Sequence, residues 1–348
     1  MSLTRQNNHY PGVRLFHFKK EETMEKPGIV YMGTPEFAVA PLRALLEAGY
    51  SVKAVVTVPD KPAGRGQKLT PSAVKVFAME KGLQILQPVS LRDPAFISEL
   101  KSLQPDLMIV VAFRILPREV FTLPPLGAFN LHASLLPAYR GAAPIQRAVM
   151  NGESISGLTT FLLDDGIDTG KIIFKLPMTI GPFESAGELH DRMMLESPEI
   201  VLATIRFLTN GEIPQNSRLQ LVNAPQPVDV STFPMAPKIF KEDCQIRWNK
   251  PSIEIFNQIR GLSPYPTAFT VLQNSHQEKF HIKIFKATLL STYELHQWVP
   301  LGQLFQSGDI LTDGRKYLIV KTLDGFLKIT DVQLQGKKRL NIEEFRHW

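Results

Sequence analysis

The chain has 348 residues, 39 Lys and Arg against 33 Asp and Glu, and one cysteine, Cys244. A single cysteine excludes an internal disulfide and any cysteine-rich metal centre. No apolar run approaches the roughly 18 residues that a transmembrane helix needs, so a cytoplasmic globular protein of about one to three domains is expected. The charge is unevenly placed: from Ser231 onward there are 16 Lys and Arg against 11 Asp and Glu, and the remainder carries 23 against 22. Nearly all the excess therefore sits in the last third, as in a segment that meets a polyanion.

Residues 1–25 show no periodicity and read as a disordered or non-native extension, with Met24 as an alternative start; no secretory signal is seen. Ile29–Met32 is then a short apolar strand, Gly33-Thr34-Pro35 a turn, Glu36–Ala48 a helix closed by Gly49, and Val52–Val58 a second strand. That strand, helix, strand order predicts an α/β fold with a parallel, Rossmann-like sheet. The first turn is not G-x-G-x-x-G, which counts against an NAD enzyme. Pro59–Pro71 carries prolines, glycines and the basic residues Lys61, Arg65 and Lys68, and reads as an exposed, mobile loop suited to reaching phosphates. A helix over Ser72–Lys81, a brief strand at Ile85–Gln87, a helix over Pro94–Leu103 and a strand over Asp106–Phe113 follow; the last is apolar enough to be covered on both faces.

Asn130 and His132 stand two residues apart at the end of the next strand, so alternation puts both side chains on one face. Ser134–Gly141 reads as a loop, and a helix restarts at Ala142-Ala143-Pro144 with proline in its first turn. Strands over Gly157–Leu163 and Lys171–Ile180 flank a turn holding Asp164, Asp165 and Asp168. An amide, an imidazole and a carboxylate converging at strand ends suit acyl transfer. The amide stabilises an oxyanion, the imidazole handles protons, and the carboxylate sets its tautomer.

Ser185-Ala186-Gly187-Glu188 is a capping box that opens a helix, and Ser197-Pro198 is expected to break it and start another that ends at Asn210-Gly211. This gives a catalytic unit over 26–210. The proline-rich stretch 211–235 reads as a semi-rigid linker and 236–348 as a second unit. From Thr270 the pattern is one of short alternating runs, which predicts a small β-barrel with a basic tip at Lys337, Lys338 and Arg339. Cys244 reads as structural.

The segment Asn-Leu-His-Ala-Ser-Leu-Leu-Pro-Ala-Tyr-Arg-Gly-Ala-Ala-Pro-Ile, residues 130–145, with Asp168-Thr169-Gly170 downstream, closely resembles the formyltransferases that use 10-formyltetrahydrofolate. From about Ile29 the chain resembles the branch of that family that acts on methionyl initiator tRNA. The resemblance implies a Rossmann-like formyltransferase domain followed by an OB-like β-barrel. Asn130, His132 and Asp168 would be catalytic, and Ser134, Leu135, Leu136 and Pro137 would contact folate. Arg65, Lys68, Lys337, Lys338 and Arg339 would meet tRNA. It also implies a cytoplasmic monomer with 10-formyltetrahydrofolate as donor and no metal. Relatives carry a glycine after the aromatic near Phe113, where this chain has Arg114; backbone of that loop helps hold the pteridine in the family. The alternatives are a formyltransferase acting on a sugar nucleotide or glycinamide ribonucleotide, or a non-catalytic RNA-binding protein on the same scaffold.

Overall fold

A computed structural model describes residues 26–63, 68–215, 218–273, 277–291, 293, 294, 298 and 303–344. Residues 1–25 and Arg65 lie outside them.

The first half alternates strand and helix as its sequence predicts. It runs β1 (Gly28–Gly33), α1 (Val39–Glu47), β2 (Ser51–Val56), β3 (Lys61–Ala63), β4 (Lys68–Thr70), α2 (Ala73–Glu80), β5 (Ile85–Leu86), α3 (Pro94–Ser102), β6 (Leu107–Val111), α4 (Arg118–Phe121) and β7 (Ala128–His132). There follow α5 (Pro144–Met150), β8 (Ile155–Leu162), β9 (Ile172–Thr179), α6 (Ala186–Asn210) and β10 (Gln220–Ala224). The basic stretch read as a loop pairs its two flanks, β3 on β4, as an antiparallel hairpin.

One sheet takes eight strands in the order β10-β9-β8-β7-β6-β1-β2-β5. β5, β2, β1, β6 and β7 are parallel to their neighbours, whereas β8, β9 and β10 add on antiparallel. The sheet is therefore mixed, not parallel throughout. β8 and β9 follow one another with no helix between them and pair antiparallel, the arrangement that a direct connection allows. Alternate residues of β1 and β6 enter opposite cores. Ile29, Tyr31 and Ile109 pack with α1, α2, α5 and α6, while Val30, Met32 and Val110 pack with α3 and α4. Two covered faces explain the unbroken apolar runs.

Ser197-Pro198 does not end a helix: α6 runs 25 residues through it. A proline at 198 has no N–H for the carbonyl four residues back, which is that of Met194. The Ser197 hydroxyl donates to that oxygen instead, at 2.7 Å. With the carbonyl satisfied, the buried face formed by Leu189, Met193, Ile200, Val201 and Ile205 holds the helix together across the gap. Among the described residues no helix is long and apolar enough to cross a membrane.

The second half comprises α7 (Ser252–Leu262) and an antiparallel half-barrel of β11 (Ala268–Gln273), β12 (Lys279–Leu289), β13 (Ile310–Thr312), β14 (Leu318–Lys321), β15 (Phe326–Leu334) and β16 (Arg339–Asn341). The strand order is β11-β12-β15-β14-β13, with β16 on β15. Ile255, Phe256, Ile259 and Leu262 of α7 close its core against Ile282, Ile284, Leu327 and Ile329. Cys244 is buried in this core and its thiol donates to the Phe240 carbonyl. Burial pushes the thiol above its ordinary value, the behaviour of a packing cysteine.

The halves meet where α7 lies on α5. A Cβ on Gly261 would stand 2.5 Å from Met150 Cγ and 2.8 Å from Met150 N. Arg147 of α5 pairs with Asp243 at 2.9 Å, and the Gly187 amide donates to Ser263 O at 3.0 Å. Gly261→Ala should force the two helices apart and destabilise the chain by about 1–3 kcal/mol. Thermal unfolding should show this as a lowered Tm; an unchanged Tm would mean that the close approach carries no packing energy.

Candidate active site

Asn130 and His132 lie on the β7 face opposite Phe129 and Leu131, whose side chains enter the α1/α6 core. Asn130 stands beside Val110 of β6 and Phe161 of β8 in register. It is half-buried, and its carboxamide has no partner among the described residues, so its N–H groups are available. His132, the last residue of β7, is 7% exposed.

The carboxylate reaches this pair by an indirect route. β8 runs antiparallel, so Leu162 sits beside Phe129 near the amino end of β7, and the turn after it starts far from His132. The turn folds back over the sheet face. Asp168, in the left-handed region at φ 54°, then brings Oδ2 to 3.8 Å from His132 Nδ1. The same oxygen accepts from the Gly141 amide at 2.9 Å. Gly141 itself has φ 124° and lies so close to Ala236 that a Cβ would be 2.5 Å from its carbonyl oxygen, a position only glycine can fill.

His132 Nε2 lies 2.9 Å from the Tyr139 carbonyl. A carbonyl only accepts, so Nε2 carries the proton and the neutral ring presents its lone pair at Nδ1. The tautomer is thus set by Tyr139 O and not by Asp168, whose 3.8 Å separation exceeds hydrogen-bond range. Asp168 is placed instead to stabilise the ring once Nδ1 gains a proton. Tyr139 is itself held: its N–H donates to Pro234 O at 2.6 Å and its hydroxyl to Glu153 at 2.6 Å. Burial, then Glu153, push that phenol above its ordinary value, so it stays a donor.

Arg140 is buried and donates through Nε and Nη2 to Gln226 Oε1 at 3.1 and 2.6 Å. Gln226 Nε2 donates in turn to the carbonyls of Asp168 and Gly170, both at 2.9 Å. Sequence reasoning placed Gln226 in a linker. The one available signal was its place between Pro225 and Pro227, which fix an extended backbone on both sides.

The four expected folate contacts divide. Leu136 is fully buried against Phe161 and Ile172, and Ser134 is fully buried with its hydroxyl donating to Ala138 O. Their side chains are part of the core because the loop after β7 must itself be packed, so neither side chain is open to a ligand. Leu135 and Pro137 keep exposed surface. Arg114 turns away from the sheet to donate to Pro88 O and Val89 O at 2.8 and 2.9 Å. Large apolar side chains stand exposed on three neighbouring loops, at Val89, Ile115 and Ile167.

Lys337 and Lys338 are exposed at the β15–β16 turn. Arg339 pairs with Asp331 at 3.1 Å and lies over the Phe285 ring at 4.5 Å. It lines a cleft of about 1150 Å³ between the halves, with Arg192, Arg260 and Lys286. Lys68 opens β4, which pairs with β3, the strand that Lys61 opens.

Comparison with known proteins agrees with this architecture. The formyl transferase profile matches residues 28–205 and the formyl transferase C-terminal domain profile residues 238–347. A methionyl-tRNA formyltransferase of Bacteroides thetaiotaomicron is 46% identical over 91% of this chain and 94% of its own. One from Parabacteroides distasonis is 47% identical over 91% and 94%. Among solved structures, an N-formyltransferase from Helicobacter canadensis, in complex with folinic acid and dTDP-3-aminofucose, shares the fold. Its TM-score is 0.60 at 20% identity, over 90% of this chain and all of that one. With identities above 45% along nearly its whole length and both domain profiles matched, the chain belongs to the methionyl-tRNA formyltransferase family.

Proposed function

We propose that the chain, acting as a monomer in the cytoplasm, moves the formyl group of 10-formyltetrahydrofolate to the α-amino group of methionyl initiator tRNA. The convergence of Asn130, His132 and Asp168 in a member of this family carries the reading. The neutral amine attacks the formyl carbon, a C–N bond forms, and the carbonyl oxygen becomes an oxyanion. The unpartnered Asn130 carboxamide donates to that oxygen. His132 takes the amine proton at Nδ1, the ring nitrogen that Tyr139 leaves free. Asp168 stabilises the imidazolium. Collapse breaks the carbon–N10 bond, and the proton passes to N10, so atoms and charge balance with no metal required.

Folate would lie across the apolar side chains exposed at Val89, Ile115 and Ile167, with Leu135, Pro137 and loop backbone completing its contact. The tRNA backbone would meet Lys337 and Lys338 at the tip, Arg339 at the cleft, and Arg65 and Lys68 of the basic stretch between Pro59 and Pro71.

Transfer of labelled formyl from 10-formyltetrahydrofolate to methionyl initiator tRNA, glycinamide ribonucleotide and an amino-sugar nucleotide in parallel tests the acceptor. Label should appear on tRNA alone; label on a small acceptor would overturn the tRNA assignment. Asn130→Ala should lower kcat by about 10²–10³-fold, the usual loss of one oxyanion donor. A smaller change than tenfold in single-turnover assays would remove Asn130 from that role. Replacing Lys337 and Lys338 together by alanine should weaken tRNA binding and flatten its dependence on salt by about one unit of slope per lysine. An unchanged slope would take the tip out of the interface.

A further inference from the structure

We infer that Gln226 is a positioning residue for the transfer: anchored by Arg140, its carboxamide holds the Asp168 main chain where the carboxylate faces His132. This rests on the reading of Asp168 as the carboxylate partner of His132.

Gln226 is 9% exposed and uses its full hydrogen-bonding capacity. Its two N–H groups go to Asp168 O and Gly170 O, and its oxygen takes both Arg140 donors. The orientation has no equivalent alternative. A flipped amide would set N–H groups against a guanidinium that only donates, and an oxygen against carbonyls that only accept. Among the described residues neither carbonyl receives another hydrogen bond. Arg140, in turn, has Gln226 as its only side-chain partner there, and no carboxylate pairs with it.

Asp168 needs such a hold. Its turn leaves the far end of β8 and must stay folded over the sheet, with φ at 54°, to bring Oδ2 to His132. The Gly141 amide fixes the carboxylate end and Gln226 fixes the backbone end. Two points of attachment define a direction where one would leave a pivot. The chemistry also calls for an amide at 226. A glutamate would pair well with Arg140, yet it would turn acceptors toward two carbonyl oxygens and repel the turn.

Gln226→Glu separates these roles because it keeps volume and the Arg140 contact while removing both donors. In the full chain, kcat should fall by about 10²-fold, the loss that a catalytic group displaced by about 1 Å brings. KM for folate and tRNA should stay within about threefold. Gln226→Asn keeps the donors on a shorter arm and should recover part of kcat. In an Asp168→Asn background, Gln226→Glu should cause no further loss, since both act through one carboxylate. Thermal melting identifies folded variants. If Gln226→Glu does not fold, Gln226→Asn carries the same non-additivity test. Full kcat in folded Gln226→Glu, or losses that multiply in the double variant, would overturn the inference. Full kcat in Asp168→Asn alone would overturn the underlying reading, and the inference with it.

Discussion

The orientation of one imidazole ring governs this site. A histidine beside a carboxylate can exist in either neutral tautomer, and only one leaves the useful nitrogen bare. Here the partner opposite the carboxylate is a main-chain carbonyl, Tyr139 O, which cannot donate. The lone pair is thereby left at Nδ1, on the Asp168 side. The choice depends on a loop and not on the strand that carries the ring. Tyr139 must hold a left-handed φ of 61° to present its carbonyl, and it is fixed there by Pro234 and Glu153. Pro234 and Glu153, acting through Tyr139, thus decide which ring nitrogen keeps its lone pair.

The same dependence reaches the stretch between the halves. Residues 220–224 form an edge strand, Gln226 holds the Asp168 turn, Pro234 holds Tyr139, and Ala236 lies against Gly141. Ala236 accepts from the Ala143 amide and donates to Arg140 O, a pair of bonds that ties the loop after β7 to the chain on its way to α7. A segment rich in proline is suited to this. Its backbone is stiff, it loses little entropy on ordering, and its few free donors and acceptors meet defined partners. The halves are joined by a strap that is also a wall of the site.

Much of this was legible in the sequence because it depended on local patterns. The βαβ unit followed from alternating runs, the shared face of Asn130 and His132 from strand period, and the capping box from Ser185 and Glu188. What could not be read was decided by contacts distant in sequence. Pro198 passes within a helix because Ser197 replaces the missing donor and the buried face outweighs the break. Leu136 looked available to a ligand but faces inward, since periodicity does not extend into a loop. Gln226 lies 58 residues from the carbonyl it holds, and no local pattern marks such a pair. The resemblance to a known family pointed to Asn130, His132 and Asp168, and the geometry makes Tyr139 rather than Asp168 the group that fixes the tautomer.

Charge placement in the second half follows from the same distinction between count and context. The cleft is lined by four basic side chains, yet three are already engaged. Arg192 binds Glu184, Arg339 binds Asp331, and Arg260 donates to Asn257 Oδ1 and Glu184 O. The fourth, Lys286, acts on Glu188, whose carboxyl is held below its usual range first by the Ser185 backbone and hydroxyl and then by this lysine. Arg192 and Arg339 are thus neutralised by carboxylates, whereas Arg260 meets only neutral oxygens and keeps its charge, as does Lys286. Lys337 and Lys338 differ: both are exposed, and neither ammonium has a partner among the described residues. Screening over about 8 Å at physiological salt confines such charges to short range. The half-barrel thus presents unpaired ammonium groups at its β15–β16 turn, while the cleft mixes paired cations, Arg192 and Arg339, with unpaired ones, Arg260 and Lys286.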